Sequence, residues 1–140
     1  MKRHASAQWK GGLKDGKGTL GTESGVLETT AYSFGTRFED EKGTNPEELI
    51  AAAHAGCFTM ALSGQLENAD MKAESIDTKA ELRLEKTGAG FTVTAIHLDV
   101  KAKIPGGNED AFLKAAKNAK EDCPISRLLN TDISMSAELV

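Results

Sequence analysis

The sequence predicts an α+β domain in which antiparallel strands cover one long central helix. Residues 46–68 open with helix-start signals and continue in small apolar residues at helical spacing. Residues 76–85 and 91–104 alternate apolar and charged side chains about Thr87-Gly88-Ala89-Gly90, as the arms of a hairpin with one wet face do. A second amphipathic segment from about residue 108 stops at Pro124, and the chain closes on another alternating stretch. The order β-β-(β)-α-β-β-α-β fits an α+β architecture, and 140 residues suit a single domain over 1–140.

The chain starts with two short strands, 3–10 and 17–22, around a turn between Gly11-Gly12 and Asp15-Gly16. Trp9, the sole tryptophan, is expected in the core or an interface. An extended piece over 25–34 carries Val26, Leu27, Tyr32 and Phe34, and residues 36–43 read as a charged loop in which Arg37 lies between Phe34 and Phe38. In the long helix Asn45 is the N-cap, Pro46 takes the first helical position and Glu48 stands where a capping-box carboxylate reaches back. The expected buried stripe is Ile50, Ala53, Cys57, Met60, Ala61 and Gly64. The second helix presents Phe112, Ala115, Ala116 and Ala119, with Cys123 continuing the stripe. Pro124 suits the first turn of a short helix running to residue 129, so Cys123 falls at its N-cap.

With 39% hydrophobic and 27% charged residues the chain is neither disordered nor membranous in composition. Its net charge of −4, with no basic cluster past Met1-Lys2-Arg3, argues against nucleic acid as a partner. No apolar run approaches the ~18 residues of a membrane span, and no apolar segment follows Lys2-Arg3 to make a signal peptide, so a cytoplasmic location is expected. There is no phosphate loop and no Gly-x-Ser-x-Gly elbow. His54 lies one turn before Cys57, but two ligands on one turn do not complete a zinc site, and a core histidine is the preferred reading. No cofactor or metal is implied.

Chemistry then rests on Cys57 and Cys123, which are either inert packing thiols or a redox pair. A nucleophilic cysteine works as thiolate and needs a positive neighbour and partial access. Of the four arginines, Arg3, Arg37, Arg83 and Arg127, Arg83 lies on the wet side of a strand and Arg3 is terminal. Arg37, just before the cysteine helix, is best placed. Its fork can hold a carboxylate on one side, and Glu47 or Glu48 could supply it, although capping and the helix dipole explain those residues too. Glu47 and Cys57 are separated by about 15 Å along an unbroken helix. Either the arginine bridges that gap or a second subunit supplies one member, which points to a dimer with composite sites.

Thr36-Arg37-Phe38-Glu39, Gly43-Thr44-Asn45-Pro46-Glu47-Glu48-Leu49, Ala52-Ala53-His54-Ala55-Gly56-Cys57-Phe58 and Cys123-Pro124-Ile125-Ser126 together resemble the OsmC/Ohr family of thiol peroxidases, in particular its osmotically inducible OsmC branch. The resemblance extends over essentially the whole chain. It implies an intertwined homodimer in which sheets from both chains wrap two long helices. It further implies that Cys57 is the peroxidatic thiolate, Cys123 the resolving thiol, and Arg37 with Glu47 the arginine–carboxylate pair. Organic hydroperoxides would be reduced to alcohols through a Cys57 sulfenic acid and a Cys57–Cys123 disulfide. A dithiol, for example one of lipoyl type, would then regenerate the thiols. The apolar Phe34, Phe38, Phe58 and Met60, read as a pocket for an organic tail, predict a preference for organic hydroperoxides over hydrogen peroxide. Gly56 replaces a more usual alanine, and the earlier loop from which the Ohr branch draws its arginine holds here only Lys14 and Lys17. The alternative is a non-enzymatic thiol redox sensor or a ligand-binding dimer.

Overall fold

The computed structural model describes residues 1–140, in two compact units, Met1–Leu49 and Ile50–Val140. The first unit is a three-stranded antiparallel sheet of β1 (Ala5–Lys10), β2 (Lys17–Thr22) and β3 (Thr30–Tyr32), in that order. Its register stacks Trp9, Gly18 and Tyr32 in one row across the three strands. A side chain at position 18 would run into both rings, so the glycine is what lets Trp9 and Tyr32 meet at a centroid distance of 5.5 Å. The Trp9 indole N–H is satisfied by the turn, donating to the carbonyls of Gly11 and Gly12 at 3.2 and 3.3 Å.

The extended piece expected over 25–34 narrows to the three residues of β3. The expected loop over 36–43 begins instead as a short helix, α1 (Phe34–Phe38). Ser33 and Thr36 explain this: the Ser33 hydroxyl accepts from the Thr36 N–H while the Thr36 hydroxyl accepts from the Ser33 N–H, a reciprocal cap in which threonine takes the usual place of glutamate.

Helix α2 (Pro46–Asn68) has the predicted bounds. The Glu48 N–H donates to Asn45 Oδ1 at 2.8 Å, as an N-cap requires, but the Glu48 carboxylate takes a hydrogen bond from the Thr44 hydroxyl rather than closing the capping box. Its C-terminus closes in a Schellman motif: Met71 N–H donates to Leu66 O, Asp70 N–H donates to Glu67 O, and Asp70 adopts φ 55°.

In the second unit the buried face of α2 is His54, Phe58, Leu62 and Leu66. This corrects the expected stripe. Ala53 and Gly64 are exposed, Met60 is 80% exposed, and Cys57 sits half-buried at the edge of the inward face. The reason is area: phenylalanine and leucine remove far more apolar surface from water than alanine or glycine, so the bulky residues choose the inward direction. The many small residues also make α2 long and apolar enough to cross a membrane by length and composition, although no single run had suggested it. The core helix of a soluble protein meets the same criterion, and the bulky face of α2 packs into a protein core.

That core lies between α2, the central strand β5 and α3. β4 (Ser75–Thr87) and β5 (Gly90–Lys103) form the expected antiparallel hairpin, with a register shift between Arg83 and Leu84. β5 turns Ile96, Leu98, Val100 and Ala102 inward, all fully buried. α3 (Glu109–Asp122), capped by Asn108, adds Phe112, Ala115, Ala116 and Ala119, and α4 (Pro124–Leu128) follows at once. The last strand, β6 (Asp132–Leu139), lies parallel to β5, so the second sheet is mixed rather than wholly antiparallel. The chain leaves β5, passes through two helices and returns in the same direction, which only a parallel pairing accommodates.

Candidate active site

Arg37 is the penultimate residue of α1 and Glu47 the second of α2, so both are placed by helix caps. Asn45 links the two: while its side-chain oxygen caps α2, its amide donates to the Thr36 carbonyl at 3.0 Å. Arg37 Nε donates to both carboxylate oxygens of Glu47, at 2.9 and 3.2 Å, and Nη2 donates to Oε1 at 2.7 Å. The guanidinium also lies 4.9 Å from the centre of the Phe38 ring. Two-point clasping and ring stacking fix the plane of the fork, while Nη1 is left over to donate elsewhere. Alongside is a cavity of about 230 Å³ walled by Trp9, Leu13, Tyr32, Phe34 and Phe38, with Ser33 and Arg37 as its polar members. A cation lining an aromatic hollow suits a ligand with a polar head and an apolar tail.

The second unit holds both cysteines. Cys57 comes from the middle of α2. Cys123 is the residue at which α3 ends and α4 begins, its N–H still bonded to Ala119 O and its own carbonyl accepting from Arg127 N–H. Pro124 forces that junction, and with it the position of the thiol. The two Sγ atoms are 2.7 Å apart, both as free thiols. Cys123 is fully buried and Cys57 is the accessible member. Burial pushes the Cys57 thiol above its ordinary value and the contact with Cys123 adds to that. A hydrogen bond from the Ile125 backbone N–H to the sulfur pulls part of the way back.

His54, one turn before Cys57, is fully buried, and its Nε2 pairs with the Ser126 hydroxyl of α4 at 2.7 Å. Its Nδ1 has no partner. Burial holds the imidazole below its ordinary value, so it is neutral.

The model for OsmC-like proteins matches residues 39–138, most of the chain. Peroxiredoxin OsmC of Escherichia coli K12 is 48% identical over 98% of this chain and 96% of its own length. The chain belongs to the OsmC family. Among solved OsmC-like structures, one from Vibrio cholerae superposes with a TM-score of 0.78 over 99% of each chain at 20% identity, which establishes the fold. The organic hydroperoxide resistance protein OsmC of Legionella pneumophila superposes with a TM-score of 0.71 at 26% identity over 96% of both chains. Two sheets and one long helix are thus the OsmC architecture.

Within this OsmC chain the four residues singled out from sequence form two pairs, each inside one unit: Arg37 with Glu47, and Cys57 with Cys123. Of the four expected pocket residues, Phe34 and Phe38 line the aromatic hollow. Phe58 is fully buried in the core of the second unit and Met60 is open to solvent. Sequence reading missed Trp9, Leu13 and Tyr32 as walls. Trp9 and Tyr32 come together only through the register of β1, β2 and β3, which has no local signature. It also missed the tie from His54 to Ser126, which spans 72 positions and has no local signature.

Proposed function

We propose that this chain, a thiol-dependent peroxidase, reduces organic hydroperoxides to alcohols in preference to hydrogen peroxide. The observation that carries the reading is the 2.7 Å contact between the sulfurs of Cys57 and Cys123, with only the former accessible. The Cys57 thiolate attacks the distal peroxide oxygen. The O–O bond breaks, the alkoxide leaves and takes up a proton as the alcohol, and Cys57 becomes a sulfenic acid. Cys123 then attacks the oxidised sulfur, the hydroxyl leaves as water, and a Cys57–Cys123 disulfide forms. An external dithiol, of lipoyl type in the simplest case, restores both thiols by exchange.

Within one chain burial raises the Cys57 thiol, which leaves little thiolate near neutral pH. A cation has to offset that, and Arg37 is assigned the task, with Glu47 orienting it. The same guanidinium would stabilise charge growing on the leaving oxygen. The chain is read as a single OsmC-like domain over 1–140 acting as a cytoplasmic homodimer with composite active sites. The small-residue, largely exposed remainder of α2 supports such a partner. The aromatic hollow beside Arg37 supports an alkyl or aryl tail on the substrate.

Rapid mixing of reduced protein with an alkyl hydroperoxide tests this. Fast loss of thiol in the wild type, none in Cys57→Ser, and a sulfenic acid that persists in Cys123→Ser are expected. Slow loss in all three would favour a redox sensor, and continued turnover of Cys57→Ser would overturn the assignment.

A further inference from the structure

The inward face of α2 is apolar except at one place. Phe58, Leu62 and Leu66 could each be continued by a leucine at position 54, yet the residue is a histidine with no exposed surface and one nitrogen unpartnered. A polar group in that position costs desolvation, which a packing role alone would not require. Its single partner, the Ser126 hydroxyl, belongs to α4.

α4 needs an anchor. It has five residues, none fully buried and no side-chain cap, and its ends are held by bonds from Arg127 N–H to the Cys123 carbonyl and from Leu129 N–H to the Ile125 carbonyl. Yet it delivers two contacts to the reacting sulfur: Cys123 Sγ at its N-cap and the Ile125 N–H. Apolar packing of Ile125 and Leu129 against the core sets its depth but is not directional. The His54–Ser126 bond is directional. It joins the same two segments one turn from Cys57 on α2 and three residues from Cys123 on α4.

We propose that His54 and Ser126 are positioning residues for disulfide closure: their hydrogen bond clamps α4 to α2 so that Cys123 stays in line with Cys57 once that sulfur carries a leaving group. In the proposed cycle Cys123 gives up its thiol proton, its sulfur bonds to Cys57, and the sulfenic hydroxyl departs with a proton as water. The same geometry serves any leaving group on Cys57. With an aryl mixed disulfide, Cys123 displaces an aryl thiolate, and no net oxidant is needed beyond the aryl disulfide itself. The inference rests on the peroxidase reading for its biological meaning, but the clamp can be measured without peroxide.

The experiment has two arms, each run on wild type, Ser126→Ala and Ser126→Thr. In one, a symmetrical aryl disulfide loads Cys57 and the second release of coloured thiolate reports closure. In the other, an alkyl hydroperoxide oxidises Cys57 and a sulfenic-acid trap competes with closure. Loss of one hydrogen bond in Ser126→Ala is expected to slow closure, relative to the first step in the same trace, about fivefold to tenfold in both arms. Ser126→Thr, which keeps the hydroxyl, restores it. Unchanged closure in Ser126→Ala overturns the proposal, as does equal slowing in Ser126→Thr. A wild type inert to hydroperoxide would instead sink the peroxidase reading, while the aryl disulfide arm still decides the clamp.

Discussion

Glu47 clasps Arg37 with both carboxylate oxygens, and 39% of the arginine side chain remains exposed. The glutamate is the more buried partner, and with the arginine open to solvent the pair contributes about 1 kcal/mol or less to stability. On the proposed reading its use lies in aiming the guanidinium. Glu47→Gln is therefore expected to leave the unfolding midpoint nearly unchanged while lowering kcat/KM for an organic hydroperoxide by ~10- to 100-fold. Arg37→Lys should fare no better, because an ammonium cannot hold the two-point geometry. Denaturant titration beside steady-state kinetics checks both.

Gly18 occupies the one position in the first sheet where a side chain would strike both Trp9 and Tyr32. Gly18→Ala is expected to cost about 1–3 kcal/mol through overpacking and to shift the emission of the sole tryptophan. Because those two rings wall the hollow beside Arg37, KM for a bulky hydroperoxide should rise more than KM for hydrogen peroxide.

Asp70 closes α2 at φ 55°, where glycine carries no steric penalty. Asp70→Gly is expected to stabilise the protein by about 0.5–1 kcal/mol in urea unfolding, with unchanged turnover.

Burial of one histidine gives the protein an acid limb of stability. His54 sits below its ordinary value through burial. The unfolded chain takes up a proton there at about pH 6.5 that the folded chain refuses, so stability is lost as pH falls from that value toward the depressed one. Urea titrations across pH should show this acid limb, and a midpoint that stays flat through it would contradict the buried neutral imidazole.

Legibility in the sequence followed the range of the forces involved. Asn45-Pro46, Asn108 and Pro124 act within one turn, and the helices they bound lie where the sequence places them. Ser33-x-x-Thr36 is an equally local cap but uses threonine for glutamate, so α1 read as a loop. The inward face of α2 was misread because small residues fit either side, and the decision belongs to Phe58, Leu62 and Leu66 meeting β5 and α3. The direction of β6 and the tie between His54 and Ser126 are set by tertiary packing alone. Position before the helix start singled out Arg37 and left Glu47 or Glu48 as its partner; the hydrogen bonds come from Glu47. The walls of the neighbouring hollow come from strands whose register a sequence does not display.

The most direct test of the proposed chemistry is the product balance of a single turnover. Reduced protein given one equivalent of an alkyl hydroperoxide, with no reductant, should yield one equivalent of alcohol. Peptide mapping should then find one Cys57–Cys123 cross-link per chain. Alcohol formed without that cross-link, or cross-links joining other partners, would contradict the account.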